Sequence, residues 1–368
     1  MESELILIIV VGTALAFDFT NGFHDTANVV ATSISTRAMS PRIAVGYAAI
    51  LNFVGAFLSL AVAATVASGI VQADLITPTI VFGGLIGAIA WNLITWYYGL
   101  PSSSSHALIG GVVGSAFVAE GAKAVQGDGL ISKVAVPAVV APILAFVVAG
   151  LAILIAYRII GRQRPGPVGR GFKLGQILSS GMLALSHGTN DAQKTMGIIT
   201  LALIANGNLD ANNFDVPRWV VVSSATAIAL GTYAGGWRII RTMGSRIIKM
   251  DSAQGFSAQT SGAAVILASS HFGYPLSTTH TITGGVMGAG AAKRVSAVRW
   301  GVAGNIAVAW VLTLPGSALI GGAAYGVTRL FGTGAAGPVI VSVAFAGVIA
   351  GAFLKRLRQG PAIAAAEA

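Results

Sequence analysis

Cysteine is absent from the 368 residues, which excludes disulfides, thiolate metal sites and thiol nucleophiles. Charge is scarce. Only 9% of residues are charged, against roughly 25% in soluble domains. No phosphate-binding loop of the Gly-x-x-x-x-Gly-Lys type occurs, which argues against an ATP-driven pump. Met1 to Val11 is acidic and lacks a basic n-region and a small-residue cleavage site, so it does not read as a cleavable signal peptide. The net charge of +10 raises the question of nucleic acid, but the basic residues flank apolar runs, and membrane topology accounts for them better.

Apolar residues are abundant, at 55% of the chain with a mean hydropathy of +0.80. Apolar runs fall near 5–35, 43–70, 76–99, 101–119, 134–157, 174–205, 217–240, 255–272, 275–292, 300–327 and 336–354. They are long, glycine-rich and not alternating, the pattern of membrane helices and not of a β-barrel. The expected fold is an all-α integral membrane protein with about nine full transmembrane helices plus re-entrant helical hairpins. The runs divide into a first repeat over 1–160, a basic linker over 161–173, a second repeat over 174–327, and a last helix with its tail over 328–368. If 76–119 and 255–292 each enter and leave on one side, one set of connectors gathers most of the basic residues, among them Arg37, Arg158, Arg162, Arg164, Arg241 and Lys293. The other set holds only Lys123, Lys133, Arg218 and Arg329. The positive-inside rule then puts the N-terminus outside and the C-terminus in the cytoplasm.

Two polar clusters interrupt the apolar runs. Asn21-Gly22-Phe23-His24-Asp25-Thr26-Ala27-Asn28 aligns with His187-Gly188-Thr189-Asn190-Asp191-Ala192-Gln193-Lys194. A second pair runs from Pro101-Ser102-Ser103-Ser104-Ser105-His106 and from Pro275-Leu276-Ser277-Thr278-Thr279-His280, each followed by a Gly-Gly-Val-x-Gly tail. With an odd number of crossings in each half, the halves take opposite orientations. That is the inverted repeat of secondary transporters, whose site lies at the repeat interface.

The Ser/Thr runs follow a proline, where a helix starts. A helix N-terminus at membrane depth offers N–H donors, hydroxyls and a positive dipole end, all of which suit an oxyanion. Ser103, Ser104, Ser105, Ser277, Thr278 and Thr279 are therefore candidate anion ligands, with helix packing as the plainer reading. Asn28, Gln193 and Lys194 can donate to the same anion. An ionised carboxylate at this depth costs at least about 2.5 kcal/mol and survives only beside partners or water. Asp25 and Asp191 therefore read as holders of a cation or proton, with helix capping as the alternative. Histidine as a residue type can change charge near neutral pH, so His24 is a candidate proton carrier beside Asp25, and Asn190 at the matching place is a candidate for cation coupling; a satisfied buried histidine reads equally well. His106 and His280 read as supports of the hairpin tips, or as titrating groups. Asp18 either lines an outer entrance or makes an interhelical hydrogen bond. A metal site at His24–Asp25 or His187–Asp191 lacks a supporting ligand pattern.

At these residues the chain resembles the PiT family of inorganic phosphate transporters. The likeness rests on the twin motif Gly22–Asn28 and Gly188–Lys194 and on the Pro-Ser-rich tips ending in His106 and His280. It implies an inverted-repeat helical fold, a homodimer, and phosphate held between motif and tips. Asp25, Asn28, Asp191, Ser104, Ser105, Thr278 and Thr279 would line that site. His24 and Gln193-Lys194 depart from the sodium-coupled pattern and look like the bacterial branch, which is associated with proton coupling and with uptake of phosphate as a metal complex. A lysine at a former cation position would make sodium unnecessary there.

Each charge moved across 100 mV costs about 2.3 kcal/mol, so a phosphate dianion entering an inside-negative cell needs two or more accompanying protons or a bound divalent metal. The expectation is a non-enzymatic phosphate importer of the cytoplasmic membrane, with lipid, phosphate and a coupling cation as partners and no bound cofactor. Sodium coupling and a sulfate permease of the same fold stand as alternatives, followed by a phosphate sensor and a channel.

Overall fold

The computed structural model describes residues 2–210 and 214–358. The tail expected over 359–368 lies outside them. Every regular element among the described residues is helical, as it must be where no water is available to satisfy backbone polar groups.

The first half begins with α1 (Glu2–Ser35), whose 34 residues extend about 50 Å. It continues through α2 (Pro41–Gly55), α3 (Ala61–Ser68), α4 (Pro78–Tyr98), α5 (Ser104–Glu120), a single turn α6 (Gly127–Leu130) and α7 (Val136–Ile160). The second half opens on α8 (Pro165–Ala205) and continues through α9 (Arg218–Ala234), α10 (Trp237–Arg241), α11 (Ser252–His271), α12 (Thr278–Lys293), α13 (Trp300–Arg329) and α14 (Ala336–Arg358). Six helices are long and apolar enough to cross a membrane, or seven if α9 and the segment that follows it, bent by 60°, count as one span. The 41-residue α8 is not among them, since it carries His187, Asp191 and Lys194 in its middle.

Three boundaries differ from the sequence reading. The basic linker is helical from Pro165, because a proline at the first position of a helix forfeits a donor that has no partner there anyway. The run expected over 43–70 breaks after Gly55, and the run over 217–240 breaks at Gly235, whose φ of 72° favours glycine.

The motif glycines are packing residues. A Cβ on Gly22 of α1 would strike the carbonyl of Ile228 on α9, and one on Gly231 of α9 would strike the carbonyl of Phe19 on α1. The same reciprocal approach joins α2 and α8, where Gly188 faces the Asn52 carbonyl and Gly55 faces that of Leu185. Small residues let these backbones meet closely.

Two helical hairpins complete the centre. The α4–α5 hairpin packs in one apolar cluster with Ile6, Val10 and Phe17 from the first half of α1. The α11–α12 hairpin packs in another with Ala27, Val30 and Ala31 from its second half. Their turns therefore meet near the middle of α1.

Candidate functional site

The two hairpin tips share one backbone construction. Gly99 and Gly273 leave their helices with φ of 65° and 74°. Ser102 then donates its N–H to the Leu100 carbonyl, and Leu276 to the Tyr274 carbonyl, each at 2.9 Å. Ser103 caps α5 by accepting from the His106 N–H at 3.1 Å, and Ser277 caps α12 by accepting from the His280 N–H at 3.2 Å. Ser103 and Ser277 thus hold the helix starts, while the next two residues of each tip face the motif helices.

Three of those four hydroxyls converge on the two acids. Ser104 donates to Asp25 Oδ2 at 2.6 Å, and Thr278 and Thr279 lie 3.4 Å from the same carboxylate. Thr278 also reaches Asp191 Oδ2 at 3.2 Å. Asn28 donates to Thr279 at 2.9 Å and to Thr278 at 3.3 Å, crossing to the hairpin of the other half. Lys194 makes the matching crossing to Ser105. Ser105 donates in turn to the Leu276 carbonyl at 3.1 Å, tying tip to tip.

Lys194 is buried, and its ammonium meets Asp191, Ser105 and the Leu276 carbonyl, the last at 2.7 Å. Three donors meet three acceptors, which is what a buried ammonium needs. His187 Nε2 lies 2.9 Å from Asp191 Oδ2, and its Nδ1 lies 3.2 Å from the Asn52 amide oxygen. Asn52 in turn donates to Thr232 at 2.7 Å, so α2, α8 and α9 jointly orient His187. On α1, His24 Nδ1 lies 2.8 Å from Asp25 Oδ1, and its Nε2 lies 3.1 Å from Thr95.

The remaining candidates sit at the margin. Asn190 donates to Ser270 at 2.8 Å and to the Tyr274 carbonyl at 3.1 Å, bracing the second hairpin. Gln193 turns away from the acids; its oxygen accepts the N–H groups of Val62 at 2.8 Å and Ala63 at 3.2 Å, capping α3. His106 and His280 meet edge to face at 4.8 Å, and His280 stacks on Trp310 at 4.0 Å. Trp310 also donates to the Pro101 carbonyl at 3.0 Å, so one side chain holds both tips. Asp18 is buried next to Thr195 and Asn21, with no hydrogen-bond partner of proper geometry among the described residues.

Sequence reasoning passed over Asn52, Thr95 and Trp310, which are single polar or aromatic residues in apolar runs, and gave His187 no part in the site. Their only signal is an amide, hydroxyl or indole N–H that needs a partner once buried. The cation question also looks different in three dimensions. Asp25, His187 and Asp191 each offer one ligand atom, all within 4.8 Å of one another, although the residues come from helices far apart in the chain. The Asn28 amide oxygen is buried beside them with no partner among the described residues.

A family model described as the phosphate transporter family matches residues 21–169 and again 165–321. A probable low-affinity inorganic phosphate transporter of Rhizobium meliloti is 50% identical over 321 residues, covering 87% of this chain and 96% of the relative. One of Bacillus subtilis is 45% identical over 333 residues, covering 90% and 99%. One of Mycobacterium tuberculosis H37Rv is 54% identical over 327 residues, covering 89% and 78%. Among solved structures, a sodium-dependent phosphate transporter matches with a TM-score of 0.75 and 26% identity over 88% of this chain and 99% of that one.

Proposed function

Since the chain belongs to the phosphate transporter family, we propose that it is a secondary active importer of inorganic phosphate, driven by protons and working by alternating access in the cytoplasmic membrane. The observation that carries this reading is the competition at Asp25. Its carboxylate occupies the hydroxyls of Ser104, Thr278 and Thr279, the donors an oxyanion would use. Protonated Asp25 no longer needs them and becomes a donor itself. The hydroxyls are then released to phosphate, and His24 at 2.8 Å is the group that exchanges the proton. Lys194 serves at Asp191 as a fixed cation, so one acid is neutralised permanently and the other is left to carry the proton.

Phosphate fits the unpartnered Asn28 oxygen better than sulfate does, because hydrogen phosphate carries a proton to donate and sulfate does not. The substrate enters free or as its metal complex. His106 and His280, clamped by Trp310, support the tips through the cycle.

The alike tips and the reciprocal glycines support an inverted repeat with re-entrant hairpins, about nine crossings in all. In this reading the N-terminus is outside, the C-terminus cytoplasmic, and the working unit a homodimer.

Sodium coupling is the second reading. Its support is the Asp25, His187 and Asp191 cluster together with the sodium-dependent structural relative. Asp25→Asn, a mimic of the protonated acid, separates coupling from binding. The expected result is phosphate exchange without gradient-driven accumulation. Wild-type accumulation in this variant would contradict the role given to Asp25.

A further inference from the structure

We propose that the chain carries a binding site for an anionic phospholipid, separate from the site between the hairpin tips. An apolar groove of about 570 Å³ runs between the last turns of α4 and α14, lined by Leu93, Ile94 and Tyr97 on one side and Val348, Ile349 and Phe353 on the other. Tyr97 and Tyr98 also form walls of a second pocket of about 260 Å³, which continues the groove. Its other walls include Trp237, Arg238, Arg241 and Arg246, and no acidic residue lines it among the described residues.

The arginines are arranged for a headgroup. The Arg238 guanidinium lies 5.2 Å from the Tyr97 ring centroid and 5.7 Å from that of Trp96, and it donates to the Tyr97 carbonyl. It is thereby fixed at the junction of groove and pocket, while Arg241 and Arg246 stay exposed along the pocket wall. Planar guanidiniums bind phosphate oxygens in pairs. Tyr97, Tyr98 and Trp237 set aromatic rings beside them. Basic pockets between membrane helices hold anionic headgroups for the same reasons.

The groove selects among occupants. Free phosphate has no use for an acyl-sized channel that opens from the basic pocket through shared tyrosines. A second copy of this chain, with net charge +10, would cover the groove but bring a predominantly basic chain to the arginines. A phospholipid with a negative headgroup satisfies both parts at once.

Native mass spectrometry of the purified full chain tests this, with dioleoylphosphatidylglycerol and dioleoylphosphatidylcholine as probes. The wild type should retain phosphatidylglycerol in preference to phosphatidylcholine, with millimolar inorganic phosphate leaving it bound. Arg241→Gln/Arg246→Gln should lower that preference about 30-fold, from two guanidiniums lost near the headgroup. Val348→Trp, which fills the groove, should reduce retention of both lipids, and unchanged melting temperatures would show both variants folded. Equal retention of the two lipids by the wild type would overturn the proposal, as would displacement of phosphatidylglycerol by inorganic phosphate. Loss of dimer mass in Val348→Trp with lipid retention intact would assign the groove to a second copy instead.

Discussion

The Lys194 ammonium donates to the Ser105 hydroxyl at the head of α5, the hairpin of the opposite half of the chain. Asn28, at the matching place in the other motif, makes the matching bond to Thr279 at the head of α12. Each motif helix thus reaches the hairpin of the other half through a donor three residues after its acid. The two halves differ at this point in charge, a neutral amide on α1 and an ammonium on α8.

That difference predicts the behaviour of Lys194→Asn. With the ammonium gone, Asp191 keeps His187 Nε2 at 2.9 Å but loses its lysine partner. Removing one partner of a buried ion pair typically costs about 3–5 kcal/mol. A small cation at the cluster of Asp25, His187 and Asp191 offsets the loss, so the variant should show sodium-dependent uptake and a melting temperature raised by sodium chloride but not by choline chloride. Stability and transport indifferent to sodium would contradict the role of Lys194 as a fixed cation.

His24→Gln keeps a hydrogen-bonding side chain near Thr95 and Asp25 but removes the titrating ring. Counterflow exchange of labelled phosphate should persist, while uptake driven by an imposed proton gradient should fall about 100-fold or more, the usual range for loss of a positioned proton-transfer group. Retained proton-driven accumulation would remove His24 from the coupling path.

Asn28→Leu should act on the substrate more than on the fold. It removes the donor to Thr279 and the unpartnered oxygen assigned to the phosphate O–H. A site built around such a hydrogen bond discriminates strongly, and a purely apolar pocket does so weakly. The expected result is a KM for phosphate raised about tenfold or more, with the preference over sulfate reduced. An unchanged KM would place phosphate elsewhere.

Gly188→Ala tests the helix contact behind the site. The added methyl would meet the Asn52 backbone carbonyl, which cannot swing aside, so α2 and α8 must separate. Overpacking of this kind typically costs about 1–3 kcal/mol, and it also displaces Asn52 from His187. The melting temperature should drop by several degrees, whereas Gly12→Ala, where a Cβ meets nothing within 4 Å, should leave it unchanged.

The residues most legible from sequence were those that violate their surroundings. Asp25, Asp191 and Lys194 stand out because charge in an apolar run demands partners, and the serines after Pro101 stand out because they start a helix inside one. Their duplication pointed to two tips meeting two motifs. What sequence could not supply was the division of labour within each cluster. Ser103 and Ser104 are neighbours of the same type, yet one caps a helix and the other binds Asp25, because helical geometry turns successive residues about 100° apart. Gln193 read as a phosphate donor, and only the break after Gly55 brings the start of α3 within its reach. Composition, likewise, does not reveal that His187 faces Asp25 across two helices.

The most direct measurement is labelled phosphate uptake into proteoliposomes under proton and sodium gradients imposed separately, with excess sulfate present. Accumulation driven by an inward proton gradient, unaffected by sodium and by sulfate, is the expected result. Accumulation driven by sodium alone would contradict the central claim that Lys194 replaces a cation at Asp191 while Asp25 carries the proton.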